Sequence, residues 1–69
     1  MRVPFDTIFE VNNGLLSNKV AFRMGGMEAF PYALKDYEGC FGGVTLSLLI
    51  GRDIEILIDG DFFVIKGIY

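Results

Sequence analysis

The last seventeen residues, 53–69, read D-I-E-I-L-I-D-G-D-F-F-V-I-K-G-I-Y. Two apolar runs, Ile54–Ile58 and Phe62–Ile65, flank the dipeptide Asp59-Gly60. Such a dipeptide supplies the positive φ angles that a two-residue β-hairpin loop needs. The segment therefore predicts a hairpin, and the rest of the chain is expected to add the sheet that covers it.

This hairpin is predicted to be apolar on both of its faces. The register set by an Asp59-Gly60 loop pairs Ile58 with Asp61, Ile56 with Phe63, and Ile54 with Ile65. Those isoleucines and Phe63 then share one face, called the inner face here. The other face, called the outer face, would carry Glu55, Leu57, Phe62, Val64, Lys66 and Ile68. A solvated sheet face is normally polar, so this one is expected to be covered by the N-terminal half or by a second subunit.

Two further hairpins are predicted upstream. Phe5–Val11 alternates as a strand and ends at the turn Asn12-Asn13-Gly14, after which Leu15–Lys19 either completes a hairpin or forms a loop. Gly25-Gly26 predicts another two-residue loop, because apolar strands flank it on both sides. The register of that loop pairs Met24 with Met27, Arg23 with Glu28, and Phe22 with Ala29, so its only charged pair has opposite signs.

The middle of the chain carries weaker signals. Residues 31–38 are either a strand or a helix of at most two turns that begins at Pro31. The three glycines of Gly39–Gly43 predict a loop or a close approach between two backbones. Val44–Ile50 alternates as a strand, and a three-residue loop, Gly51–Asp53, would pair it with the final hairpin. That register pairs Ile50 with Ile54, Leu48 with Ile56, and Leu46 with Ile58.

Residues 1–69 therefore form one small all-β domain, with at most one short helix near 31–38. Five or six short strands between glycine turns predict an antiparallel barrel or sandwich of SH3-like or OB-like size. A chain this short buries only about 60% of its unfolded surface. Cys40 is the only cysteine, so no disulfide can form within the chain, and 52% of the residues are hydrophobic. Oligomerisation is the remaining source of stability, and a homo-oligomer is expected.

The composition disfavours several functions. Net charge is −3 and the six Lys and Arg residues are scattered, so the basic footprint of a nucleic-acid binder is missing. The chain has no His, which is the commonest general base. Ser17 and Ser47 have no recognisable base partner, and Cys40 lacks a cationic neighbour. We therefore predict no catalytic residue and no enzymatic activity.

Neither a cofactor nor a metal is expected. Asp53 and Asp59 would lie at opposite ends of one strand, and the spacing of a calcium loop is missing. The glycine pairs lack the pattern of a phosphate-binding loop. The longest apolar run, Val44–Ile50, is shorter than the roughly 20 residues that span a bilayer, and Asp6 and Glu10 interrupt the start of the chain. A cytoplasmic protein without membrane contact is expected.

One stretch resembles a known family. Residues 50–66, I-G-R-D-I-E-I-L-I-D-G-D-F-F-V-I-K, look like the last hairpin of AbrB-type swapped-hairpin DNA-binding proteins. The basic segment that precedes this hairpin in the family is replaced here by V-T-L-S-L-L. Neither a function nor a residue role is carried over from the resemblance.

The function predicted from the sequence is that of a non-enzymatic protein–protein interaction module that associates with itself. Small chains without catalytic groups are often accessory or inhibitory proteins of phages or mobile elements, and a second protein is an alternative partner. The alternative function is a small barrel that binds a nucleotide or a nucleic acid through its aromatic residues. The predicted interface residues are Leu57, Phe62, Val64, Ile68, Tyr69, Tyr37 and Phe41.

Overall fold

The computed structural model describes residues 1–35 and 38–69. The strands of these residues are β1 Arg2–Pro4, β2 Phe9–Asn12, β3 Leu15–Asn18, β4 Phe22–Met24, β5 Met27–Ala29, β6 Cys40–Phe41, β7 Val44–Thr45, β8 Asp53–Asp59 and β9 Phe62–Ile68. Two short 3-10 helices lie at Phe5–Thr7 and Leu46–Leu49. The prediction of a small all-β fold is confirmed. No described helix has the length and apolarity needed to cross a membrane.

The main sheet has five strands in the order β1-β8-β9-β4-β5, and β2-β3 and β6-β7 are separate two-stranded hairpins. The order has two ends, so the described strands do not close into the barrel that was one of the expected forms. The expectation of a wholly antiparallel sheet is wrong at one place, because β4 and β9 run parallel. A long connection separates these two strands, and no hairpin loop forces them to be antiparallel.

The two upstream hairpin loops are confirmed. Gly25 and Gly26 both have positive φ, and the register of β4 with β5 is the predicted one, including the pair Arg23 and Glu28. Asn13 and Gly14, with φ of 54° and 78°, form the loop between β2 and β3. Positive φ at both loop positions belongs to the turn whose twist matches that of paired strands.

The final hairpin forms, but its register differs from the predicted one by two residues. Its loop is Gly60-Asp61, so Ile58 pairs with Phe63 and Ile56 with Ile65. Gly60 takes the first loop position with a φ of 61°, which is the arrangement of a Gly-X hairpin turn. A shift of two residues leaves the side chains from Ile56 to Ile65 on their predicted faces, since faces alternate with a period of two.

The N-terminal strand predicted over Phe5–Val11 is only partly formed. Phe5–Thr7 is a 3-10 helix, and the strand begins at Phe9. Phe5, Ile8 and Phe9 are all buried, and side chains at positions i, i+3 and i+4 meet on one side of a helical turn but not of a strand. Burial of Phe5, Ile8 and Phe9 on one side of the chain thus favours the helical turn over the strand that the alternation of the segment predicts.

The strand predicted over Val44–Ile50 also ends early. After Val44–Thr45 the chain forms a 3-10 helix, which buries Leu46 and Leu49 and exposes Leu48. Residues three apart lie on the same side of a 3-10 helix. The predicted pairing of this segment with the final hairpin is therefore wrong, and β8 pairs instead with β1, where Val3 lies opposite Ile54.

The described part of segment 31–38 does not form the alternative helix. Residues 31–35 are turns, and Tyr32 has a φ of 61°, which no residue of a right-handed helix adopts. The amide groups of Ala33 and Lys35 donate to the carbonyl oxygens of Phe30 and Tyr32, 2.9 and 3.2 Å away. Asp36 and Tyr37 lie outside the described residues.

The core lies on the inner face of the main sheet. Ile54, Ile56 and Ile65 pack there against residues of the β2–β3 hairpin and the two 3-10 helices. Ile58, which was predicted on the same face, is 57% exposed, because the core does not reach the loop end of the hairpin. Phe9 joins the hairpin to the sheet through an edge-to-face contact with Phe22, with ring centroids 5.0 Å apart. Phe22 in turn lies 5.2 Å from Phe41. Such pairs contribute about 0.5–1.5 kcal/mol each beyond the area they bury.

Asn18 connects β3 to the turns that follow β5. Its side chain is fully buried, and Nδ2 donates to the carbonyl oxygens of Val20 and Phe30 at 2.9 and 2.8 Å. Its Oδ1 accepts from the amide of Leu34 at 3.1 Å, and its own carbonyl accepts from Tyr32 at 2.8 Å. One buried amide side chain therefore satisfies backbone groups from three positions.

Two glycines let the tips of separate hairpins touch. A Cβ added to Gly42 would overlap the carbonyl oxygen of Met24, and one added to Gly25 would overlap that of Gly42. The β6–β7 tip therefore lies with its backbone directly on the β4–β5 tip. The close approach predicted for Gly39–Gly43 is confirmed at this position.

Replacing Asn18 by Ala is expected to lower the free energy of unfolding by about 2–4 kcal/mol, because several buried backbone groups lose their partner. Urea denaturation measures the change. Asn12 is exposed at the end of β2, and Asn12→Ala serves as the matched control, with a change within about 0.5 kcal/mol. Equal midpoints for the two variants would contradict the role given to Asn18.

Gly42→Ala is expected to destabilise the fold more than Gly43→Ala. Both positions have positive φ, 60° and 81°, so both variants carry the strain of a left-handed backbone, about 1–2 kcal/mol. Only Gly42 is crowded, whereas Gly43 opens onto free space. Thermal unfolding of the pair isolates the steric contribution, and a Gly43→Ala variant as unstable as Gly42→Ala would refute the contact between the tips.

Candidate functional site

The outer face of the main sheet exposes apolar side chains at its centre. Leu57 of β8 pairs directly with Val64 of β9, and Phe62 lies two residues before Val64 in the same strand. The exposed fraction of Leu57 is 57%, and Val64 and Phe62 are half-buried. The structure therefore brings three of the predicted interface residues together on one surface.

Phe30 extends this surface and was missed by the sequence-based prediction. Its ring centroid lies 5.6 Å from that of Phe62, and 67% of Phe30 is exposed. The sequence does indicate this position. Ala29 pairs with Phe22 in the predicted hairpin, and the residue after Ala29 alternates to the opposite face. We call Phe30, Leu57, Phe62 and Val64 the outer patch.

A cluster of three charges lies beside the outer patch. The guanidinium of Arg23 donates to Oε2 of Glu28 from Nε and Nη2, at 3.1 and 2.6 Å. Its Nη1 donates to Oδ2 of Asp59 at 2.9 Å, and its Cζ lies 5.1 Å from the ring centroid of Phe62. The hydrogen bonds that Arg23 donates to Glu28, and next the one to Asp59, raise the pKa of Arg23 above its ordinary value. Arg23 is thus a committed cation with its hydrogen-bond donors directed at two carboxylates of its own chain.

Lys66 lies on the other side of the patch. It lines one groove with Leu57, Val64 and Asp59, and it forms no ion pair with any residue in the described ranges. A bulge in β9 displaces it from the regular ladder, because Ile65 pairs with Ile56 and Gly67 with Glu55. Lys66 is therefore an exposed cation at the edge of the outer patch, where an acidic side chain of another molecule could pair with it.

The remaining predicted interface residues do not join the outer patch. The bulge turns Ile68 onto the inner face opposite Ile54, where it packs against the core; this corrects its predicted place on the outer face. Phe41 is also buried in the core. Tyr69 is exposed, with the Cζ of Arg2 3.7 Å from its ring centroid. Tyr37 lies outside the described residues.

The surface combines exposed apolar side chains with charged side chains at its edge. Within residues 1–35 and 38–69, no three His, Cys, Asp or Glu side chains are grouped so that they could hold a metal ion. Cys40 is exposed, with its Sγ 3.5 Å from Oγ1 of Thr45. Apolar side chains beside paired charges such as Arg23 and Glu28 can contact another apolar surface, and the charged groups can form hydrogen bonds at the rim of that contact.

Comparisons with protein-family models, with curated proteins and with solved structures give no match to this chain.

Proposed function

We propose that this protein is a non-enzymatic interaction module that associates with a second copy of itself through the outer patch. One observation carries the proposal: Phe30, Leu57, Phe62 and Val64 form a joined apolar surface on a sheet face, and two of them are more than half exposed. Exposed apolar side chains that adjoin one another mark interaction sites, whereas scattered ones need no explanation.

The fold itself does not require an apolar outer patch. The core is built on the inner face, where residues such as Ile54, Ile56 and Phe22 are almost fully buried. Polar side chains at Leu57 and Val64 would satisfy the alternation of an antiparallel sheet equally well. The apolar side chains at these positions therefore favour a contact that is made after folding.

A second copy is the partner that best suits so small a chain. A domain of this length gains little stability from its own core, and association is one of the few remaining sources. The charges beside the patch also disfavour a polyanion, because Arg23 is already bound to Glu28 and Asp59. Phosphate recognition needs several free cations.

The size of the face sets the strength that we expect. The five strands, at about 3.3 Å per residue and about 4.8 Å apart, cover roughly 350 Å² of sheet. Stable complexes bury about 800 Å² on each partner. The outer face thus supports an interface of the small, transient class, and monomer and dimer are expected to exchange.

Leu57→Asp is expected to abolish association, because it places a charge at the centre of the buried contact. Light scattering over a concentration series measures the mean mass, which should rise toward that of a dimer for the unmodified protein and stay at 7.7 kDa for this variant. Leu48→Asp is the matched control, since Leu48 lies off the outer face with 59% exposure. It should associate normally.

Three results of this experiment would count against the proposal. The unmodified protein could remain a monomer at every concentration, Leu57→Asp could associate normally, or both variants could lose association equally. If the protein stayed monomeric and instead bound single-stranded nucleic acid with a steep salt dependence, the alternative function would replace the one proposed.

A further inference from the structure

The outer face carries opposite charges at the two ends of its central hairpin. Asp59, Arg23 and Glu28 form a cluster with a formal charge of −1 at the end next to the loop. Lys66 supplies +1 toward the other end and has no ion-pair partner among the described residues. Glu55, which is paired with the N-terminal amine of Met1, and Arg2, which lies over the Tyr69 ring, are at the same end, so that end is positive in sum. The Asp59 side chain is 67% exposed, so it can accept further hydrogen bonds.

The apolar pair Leu57 and Val64 lies midway between these charges. Asp59 pairs with Phe62, two residues from Val64 in one direction, and Lys66 lies two residues from Val64 in the other. Each charge is therefore about 7 Å from the central pair along the strands. An arrangement with opposite charges on the two sides of a centre is complementary to a copy of itself turned end for end.

Resting on the proposed function, we infer that two copies pack outer face to outer face about a twofold axis. The axis lies across the strands, over the pair Leu57 and Val64. This rotation reverses the strand direction and sets Lys66 of each copy over Phe62 of the partner subunit, within reach of the partner's Asp59 on the adjacent strand. The same rotation places the outer patches against one another, with two identical ion pairs at the rim.

A second twofold arrangement is distinguishable from this one. An axis parallel to the strands, between β8 and β9, keeps the strand direction and would bring Lys66 over Glu55 of the partner subunit. The acidic residue that forms an ion pair with Lys66 across the interface therefore identifies the axis. It is Asp59 in the inferred geometry and Glu55 in the other.

Charge reversal in separate chains tests the inference. Lys66→Glu and Asp59→Lys should each weaken self-association about tenfold, because two symmetry-related attractions become repulsions. In an equimolar mixture the reversed side chains face each other and the native ones do likewise, so a heterodimer should form with nearly the native dissociation constant. Arg23 keeps both hydrogen bonds to Glu28 in either variant. Sedimentation equilibrium measures all three constants.

Glu55→Lys mixed with Lys66→Glu is the control. Glu55→Lys keeps both contacts between Lys66 and Asp59 and should self-associate normally, whereas its heterodimer with Lys66→Glu should stay weaker than the native dimer, because one of the two ion pairs is reversed. If that heterodimer forms with the native dissociation constant and the Asp59→Lys heterodimer does not, the axis is wrong while the proposed function stands. If the unmodified protein associates and no mixture differs from its separate variants, Lys66 does not contact an acid and the inferred geometry is overturned. A monomeric unmodified protein would overturn both the geometry and the proposed function.

Discussion

The β8–β9 hairpin carries apolar side chains on both faces, and the described residues bury the inner face more completely than the outer one. The inner face is packed against the β2–β3 hairpin, both 3-10 helices and Phe41. Burial of this kind gives roughly 25 cal/mol for each Å² removed from water. A second copy on the outer face would give the same kind of gain, which ties the proposed association to the way the domain folds.

The connections that hold the core also present the outer patch. Asn18 binds the carbonyl of Phe30 from inside the fold, so the backbone at the end of β5 is fixed while the Phe30 ring stays outside against Phe62. Arg23 adds a further restraint by linking β4 to Asp59 across the sheet. An interface whose side chains are already ordered loses less conformational entropy on binding.

The glycine loops located the hairpins of this fold, although the loop predicted at Asp59-Gly60 lies one residue further along, at Gly60-Asp61. Gly25-Gly26 fixed a register that the structure reproduces, because positive φ at both positions admits one kind of hairpin loop. Alternation was less reliable: Leu46, Leu48 and Ile50 fit a strand pattern, whereas Leu46 and Leu49 fit a 3-10 turn, and only the core decides between the two. The bulge at Lys66, which moves Ile68 to the inner face, is marked in the sequence by Gly67, because an isolated glycine within a strand pattern suggests a bulge. Leu57, Phe62 and Val64 were predictable because a two-residue register shift preserves faces, whereas Phe30 depended on where β5 ends.

The most direct measurement of the central claim follows the methyl resonances of the unmodified protein by NMR as its concentration rises. Contact through the outer patch predicts that the methyl groups of Leu57 and Val64 shift together along one binding curve. Those of Leu48, which is equally exposed on a different surface, should keep their positions. Methyl shifts of Leu57 and Val64 that stay constant from micromolar to millimolar concentration would contradict the claim that this face joins two copies.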